Sequence, residues 1–195
     1  MTVAPISRFP IPNLEDLDDD VREQINAARE RLGFIPNVYL ALAHRPDEFR
    51  AFFSYRNAIM DREGGLSKVE REMIVVATSA AVNCTYCVAS HGAMLRLHSG
   101  DPVLSDKIAI DYRHAPLNAR QRGMLDYALK LSRGPQTVDE SDLETLTALG
   151  FESEDLWDIS SVVAFFALSN RMVHALNLVP NDEFFQLGRT SPPGR

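Results

Sequence analysis

The sequence predicts an all-α protein. Apolar residues recur at three- and four-residue steps through most of the chain, and no segment shows the two-residue alternation of a half-buried strand. Gly33, Gly64-Gly65, Ser99-Gly100, Gly134-Pro135 and Gly150 punctuate the periodic runs. A chain of 195 residues suits one domain and can bury a substantial core.

The segments follow in order. Pro5, Pro10 and Pro12 predict an extended arm over residues 1–13. Leu14, Leu17, Val21, Ile25, Ala28 and Leu32 predict a first helix that Gly33 stops. A second helix follows Pro36. A third begins near Pro46, carries Phe49, Phe52, Phe53, Ile59 and Met60, and is broken by Gly64-Gly65. Ser67-Lys-Val-Glu70 has the form of a capping box, in which the Ser oxygen and the Glu carboxylate satisfy free amides at a helix start. The helix it opens, through Val82, is apolar on every side after Glu72, so it belongs in a core or against a partner. Another runs from about Cys84 to His98. Further helices are predicted at 103–110, 117–132, 139–148 and 153–178. The domain therefore spans 14–188, and residues 189–195, ending Ser191-Pro-Pro-Gly-Arg195, form a loose tail.

Composition narrows the function. Hydrophobic residues at 45% and charged residues at 24% are ordinary for a globular protein. A net charge of −7 and a pI near 5.2 leave no excess of cations, which argues against nucleic acid or an anionic membrane surface as partner. The N-terminus has no apolar signal region. The apolar stretch from Leu156 to Val179 is interrupted by Asp158, Asn170, Arg171 and His174 and reads as a buried helix, not a span. The expected location is the cytoplasm. There, two cysteines are catalytic or metal-binding more often than structural.

Those cysteines, Cys84 and Cys87, lie one helical turn apart, and His91 continues the same face one turn on. Glu72 sits at the near end of the preceding apolar run. On one straight helix the twelve steps from Glu72 to Cys84 would span about 18 Å, too far for proton exchange. The chemistry therefore requires a break at Asn83, a residue suited to an N-cap, with two antiparallel helices bringing Glu72 beside His91 and Cys87. A thiolate near a helix N-terminus is favoured by the free amides and the macrodipole. One thiolate attacks a peroxide oxygen to give a sulfenic acid, and the second thiol condenses with it to a disulfide. A Glu–His pair supplies the base and acid this needs.

The pattern Glu-x11-Cys-x-x-Cys-x3-His, present as Glu72, Cys84, Cys87 and His91, resembles the active-site signature of the AhpD-like alkylhydroperoxidases of the carboxymuconolactone decarboxylase superfamily. The whole chain resembles the peroxidase-related branch, including the Asn170-Arg171 segment of the last long helix. The resemblance implies an all-helical AhpD-like bundle that assembles as a homo-oligomer and uses no metal or organic prosthetic group. It implies Cys87 as the attacking thiol, Cys84 as the resolving one, and Glu72 and His91 as the proton relay. It also implies recycling by a dithiol reductant, lipoyl-type in the best-known members. This chain departs from those members at Tyr86, where they carry a second histidine; tyrosine is a poor base near neutral pH. Helix position alone favours Cys84 as the more acidic thiol, whereas the family assigns attack to Cys87, the assignment followed here.

Each residue also has a structural reading. Glu70 serves the helix dipole, and Glu72 alone would be read the same way. Buried inert thiols are the alternative for the cysteines. His98 is read as a solvated helix end, His44 and His114 carry no signal, and His174 and Asn170 are expected to make hydrogen bonds at a helix or subunit contact. Phe49, Phe52, Phe53, Phe165, Phe166 and Trp157 are read as core and interface packing. The leading function is a thiol-dependent peroxidase acting on hydrogen peroxide or small organic hydroperoxides. The rivals are a thiol–disulfide oxidoreductase, a decarboxylase or lactone-processing enzyme, and a non-enzymatic zinc- or redox-sensing oligomer. Zinc would need a fourth ligand that the sequence does not supply. The apolar segments Met73–Val82 and Val162–Leu168 exceed what a small interior covers easily, which also argues for an oligomer.

Overall fold

The computed structural model describes residues 5–189, and among them every regular element is helical. The helices are α1 (Asp19–Leu32), α2 (Asn37–Leu42), α3 (Pro46–Met60), α4 (Lys68–Ala81), α5 (Thr85–Ser99), α6 (Leu104–Asp111), α7 (Ala119–Arg133), α8 (Glu140–Ala148), α9 (Ser153–Leu176) and α10 (Glu183–Gln186). The first helix starts later than its apolar periodicity suggested. Leu14–Asp16 form a separate 3-10 turn, and α1 opens only after Asp18, with Asp19 and Asp20 in its first turn. Acidic side chains there suit the helix dipole, whereas Leu14 and Leu17 pack beside the helix from outside it. Gly33 ends α1 in the left-handed conformation at φ 84°, as expected.

α4 is the centre of the bundle and packs against α5, α6, α7 and α9. Its start is the anticipated capping box: the Ser67 side chain accepts from the Glu70 amide, and the Glu70 carboxylate accepts from the Ser67 amide. Residues Arg71–Ser79 are all buried, so this part of the apolar run is covered within one chain. Met73 to Ala77 join residues of α7 and α9 in the largest apolar cluster. Each fully buried Ile, Val or Met there contributes roughly 1.5–3 kcal/mol. The guanidinium of Arg71, wholly buried, pairs with Asp158 of α9 at 2.8 Å and fixes α9 against α4. Gly65 has a steric reason as well: a Cβ there would fall 2.0 Å from an Asp155 carboxylate oxygen.

α9 is long and apolar enough to cross a membrane by length and composition. It nonetheless buries Asp155, Asp158, Ser169 and Asn170, three of which bond to α4 or to the α9 start. That is the pattern of a core helix. The arm from residue 5 is tied down: Arg8 donates to the Leu176 carbonyl at 2.8 Å, and Val179 donates to that of Ile6 at 3.0 Å. The tail expected over 189–195 lies, beyond Arg189, outside the described residues, as do the first four residues of the arm.

Candidate active site

The site begins with the turn between α4 and α5. Asn83 is the left-handed residue of that turn, at φ 55°, and Cys84 is the N-cap of α5. The expectation that Asn83 caps α5 is therefore corrected. Asn83 N–H donates to Ala80 O at 3.0 Å and Cys84 N–H donates to Ser79 O at 2.9 Å. These two bonds form a Schellman motif that closes α4. Its last residue is also the first of the Cys-x-x-Cys pair, so the motif ending one helix positions the thiols of the next. Asparagine is among the few non-glycine residues that enter the left-handed region readily.

The break brings α5 back along α4. His91 Nδ1 lies 2.7 Å from Glu72 Oε2, nineteen residues away in sequence. The Glu72 side chain is 4% exposed and that of His91 16%. With Nδ1–H donating to the carboxylate, Nε2 is the nitrogen left to take or give a proton. The imidazole and the Phe166 ring meet edge to face, with centroids 4.6 Å apart at 81°.

Both cysteines are free and buried, and their thiols lie close enough for a hydrogen bond from Cys87 to stabilise a Cys84 thiolate. The bond from Cys87 pulls the Cys84 thiol below its ordinary value, against the opposing effect of burial. The same bond, then burial and the Cys84 charge, push Cys87 well above it. Ser169 and Ser79 pull Cys87 partly back. Ser169 Oγ stands 4.0 Å from Cys87 Sγ, and Ser79 donates to Asn170 Oδ1 at 3.1 Å. Neither serine was readable from the sequence, since α4 and α9 meet only in three dimensions.

Cys87, and not Cys84, lines a pocket of about 300 Å³. Its wall is aromatic: Tyr39, Phe52, Phe53, Phe165 and Phe166. Cys87, Ser169, Glu72 and His91 lie at its buried end, and the exposed Arg31, Lys68, Asp61 and His98 lie toward solvent. The phenylalanines read as packing thus form a cavity as well as a core. Trp157 does neither, being 70% exposed in the chain. The Tyr86 hydroxyl accepts a hydrogen bond from the Val38 amide at 3.0 Å, and burial raises its pKa further out of range for a base. Its part is architectural, because it satisfies a free amide in the first turn of α2. Asn170 and His174 also make contacts between helices, His174 Nε2 lying 3.0 Å from the Val82 carbonyl. Among the described residues no group of three or more His, Cys, Asp or Glu is arranged to hold a metal ion.

The model of the carboxymuconolactone decarboxylase family matches residues 46–102, the stretch from α3 to the end of α5 that contains Glu72, Cys84, Cys87 and His91. A solved structure described as an alkylhydroperoxidase AhpD core, an uncharacterised peroxidase-related protein from Ralstonia eutropha JMP134, is 53% identical and superposes with a TM-score of 0.96, covering 97% of this chain and 100% of that one. The chain belongs to the AhpD-like, peroxidase-related branch of the carboxymuconolactone decarboxylase superfamily. A second solved structure, of an uncharacterised peroxidase-related protein from Silicibacter sp. TM1040, is 39% identical with a TM-score of 0.91, covering 97% of this chain and 99% of that one. The debrominase Bmp8, 20% identical with a TM-score of 0.72 over 96% of this chain and 98% of that one, shares the AhpD-like fold. Sestrin-2 of Homo sapiens is 21% identical over 160 residues, 78% of this chain. The chain spans 32% of the length of that curated relative.

Proposed function

We propose that this AhpD-like chain is a thiol-dependent peroxidase in which Cys87 attacks, Cys84 resolves, and Glu72 and His91 move the protons. The observation that carries the reading is the 2.7 Å His91–Glu72 contact at the buried end of the pocket that Cys87 lines.

In the reacting state the pair shares one proton, with Cys84, the more readily ionised sulfur, as the thiolate and Cys87 as the thiol. As a hydroperoxide enters, the proton passes from Cys87 to Cys84, and the Cys87 thiolate attacks the terminal oxygen. An S–O bond forms, the O–O bond breaks, and the alkoxide leaves as an alcohol with a proton from the His91 imidazolium. His91 then takes the Cys84 proton. The Cys84 thiolate attacks the Cys87 sulfenic acid, the S–S bond forms, and hydroxide departs as water with that proton. A dithiol reductant returns two electrons and two protons and leaves as a disulfide. Glu72 holds the imidazole in one tautomer and stabilises its cation.

Burial weighs against the oxidoreductase alternative. With Cys84 1% and Cys87 2% exposed, a protein disulfide has no access to either sulfur, whereas a small hydroperoxide reaches Cys87 through the pocket. The proposal keeps the cytoplasm as the location and a homo-oligomer as the working form. Supporting the second, α9 turns Trp157, Leu168 and Met172 outward, and Tyr55 of α3 is also exposed. Sedimentation of a monomer at micromolar concentration would remove that part.

The deciding experiment counts free thiols in the reduced protein before and after one equivalent of cumene hydroperoxide. Rapid loss of both, abolished by Cys87→Ser, is expected. Thiols that survive the peroxide overturn the proposal.

A further inference from the structure

The charge of the pocket rim runs against that of the protein. The chain carries a net charge of −7, yet the pocket is ringed by Arg31, Arg56, Lys68 and His98 with a single rim acid, Asp61. That acid is committed to Arg56 at 3.2 Å, and Glu72, deeper in, is held by His91. Arg31, in the last turn of α1, and Lys68, first residue of α4, have no ion-pair partner among the described residues. Two cations from separate helices therefore face solvent unpaired at the entrance of an otherwise apolar cavity.

The distances set the shape of what fits. Lys68 stands one turn of α4 before Glu72, about 6 Å along the axis, and His98 stands two turns of α5 beyond His91, about 10 Å. Between these rim groups and the relay the lining is mainly apolar, the aromatic walls together with Met60 and Met94. The cavity of about 300 Å³ is roughly twice the size of one that takes up a benzene molecule, about 150 Å³. That is far more room than hydrogen peroxide uses. An apolar body of about ten carbons fills such a space, within the range of small-molecule pockets.

Building on the peroxidase reading, we propose that the preferred substrate is a hydroperoxy carboxylic acid of medium length, with its hydroperoxide at Cys87, its apolar body against the phenylalanines and its carboxylate between Arg31 and Lys68. The cations act on binding and leave the chemistry of the thiols to the buried end. Hydroperoxide and carboxylate are at opposite ends of the molecule, so the carboxylate stays in the solvated rim and is not desolvated.

The test follows single-turnover oxidation of the reduced, full-length protein by hydroperoxydecanoic acid and by its methyl ester, with cumene hydroperoxide alongside. The acid should oxidise the thiols about fivefold faster than the ester at low ionic strength, the scale of an exposed ion pair, and raised salt should shrink the difference. In the double variant Arg31→Gln, Lys68→Gln the acid and the ester should react at the same rate. Both side chains are exposed, so the variant is expected to fold. Equal rates for acid and ester in the unaltered protein, or a preference that survives the double substitution, overturn the proposal while peroxidase activity stands. Failure of all three compounds to oxidise the thiols overturns the peroxidase reading itself.

Discussion

The Cys87 side chain reaches the pocket while that of Cys84, its hydrogen-bond partner three residues back, does not. Access and acidity are thus placed on different sulfurs. The sulfur that a peroxide can touch is the one that holds its proton, and the easily ionised sulfur lies behind it. In the proposed mechanism the reactive thiolate at Cys87 forms when its proton moves to its neighbour.

Thiolate titration by ultraviolet absorbance checks this division. The unaltered protein should lose its first thiol proton below the ordinary cysteine range and its second well above it, because the hydrogen bond from Cys87 favours the Cys84 anion and that anion then opposes ionisation of Cys87. The Cys84→Ser variant removes the opposing charge, so the remaining thiol should titrate lower than the second step of the pair. The Cys87→Ala variant removes the thiol donor, leaving Cys84 to titrate without that bond. Two coincident steps in the unaltered protein would contradict the assignment.

The relay is tested by removing its charge while keeping its shape. Glu72→Gln should slow peroxide-dependent thiol loss by about 10²-fold, the lower end of what general acid–base groups supply. His91→Gln should slow it at least as much. It also leaves the Glu72 carboxylate buried without its partner, which should lower the unfolding free energy by about 1–3 kcal/mol. Denaturant melts separate the two effects, since Glu72→Gln should show the kinetic loss with the smaller loss of stability.

The turn at Asn83 makes a backbone prediction. Asn83→Gly should be tolerated, because glycine adopts φ 55° without strain. Asn83→Val should cost about 1–2 kcal/mol, since a β-branched residue is disfavoured there. Thermal melts of the two variants, ranked against the parent, measure the difference.

Tyr86→Phe separates architecture from chemistry. The substitution removes the one acceptor the Val38 amide has among the described residues, and an unsatisfied amide costs about 1–3 kcal/mol. Stability should fall by that amount, while the pH dependence of thiol oxidation keeps its shape. A changed pH profile would return Tyr86 to the relay.

The helical class was legible because glycines and capping residues recur between strongly periodic runs. Ser67-to-Glu70 specified a helix start, and Gly33 a stop, through local chemistry alone. Leu14 and Leu17 misled because packing beside a helix and packing within one share the same spacing. Asn83 showed that the chain must turn but not how, since asparagine serves as N-cap and as left-handed residue alike. Glu72, Cys84, Cys87 and His91 were readable because they sit within twenty consecutive residues. Ser79, Ser169 and the pocket were not, because their neighbourhoods are created by α4, α9 and the three N-terminal helices meeting in space.

The Schellman turn that joins α4 to α5 has a consequence for how such a protein can change. All four groups assigned to proton and sulfur chemistry hang on that one hairpin, where inserting a single residue between Cys87 and His91 would swing the imidazole by about 100° around the helix axis. The walls around them come from α1, α2, α3, α9 and α10, which are free of that constraint. Reactivity is therefore inherited as one short, rigid block, while selectivity is spread over many positions that can drift separately. A lineage built this way can keep one reaction and exchange its substrates.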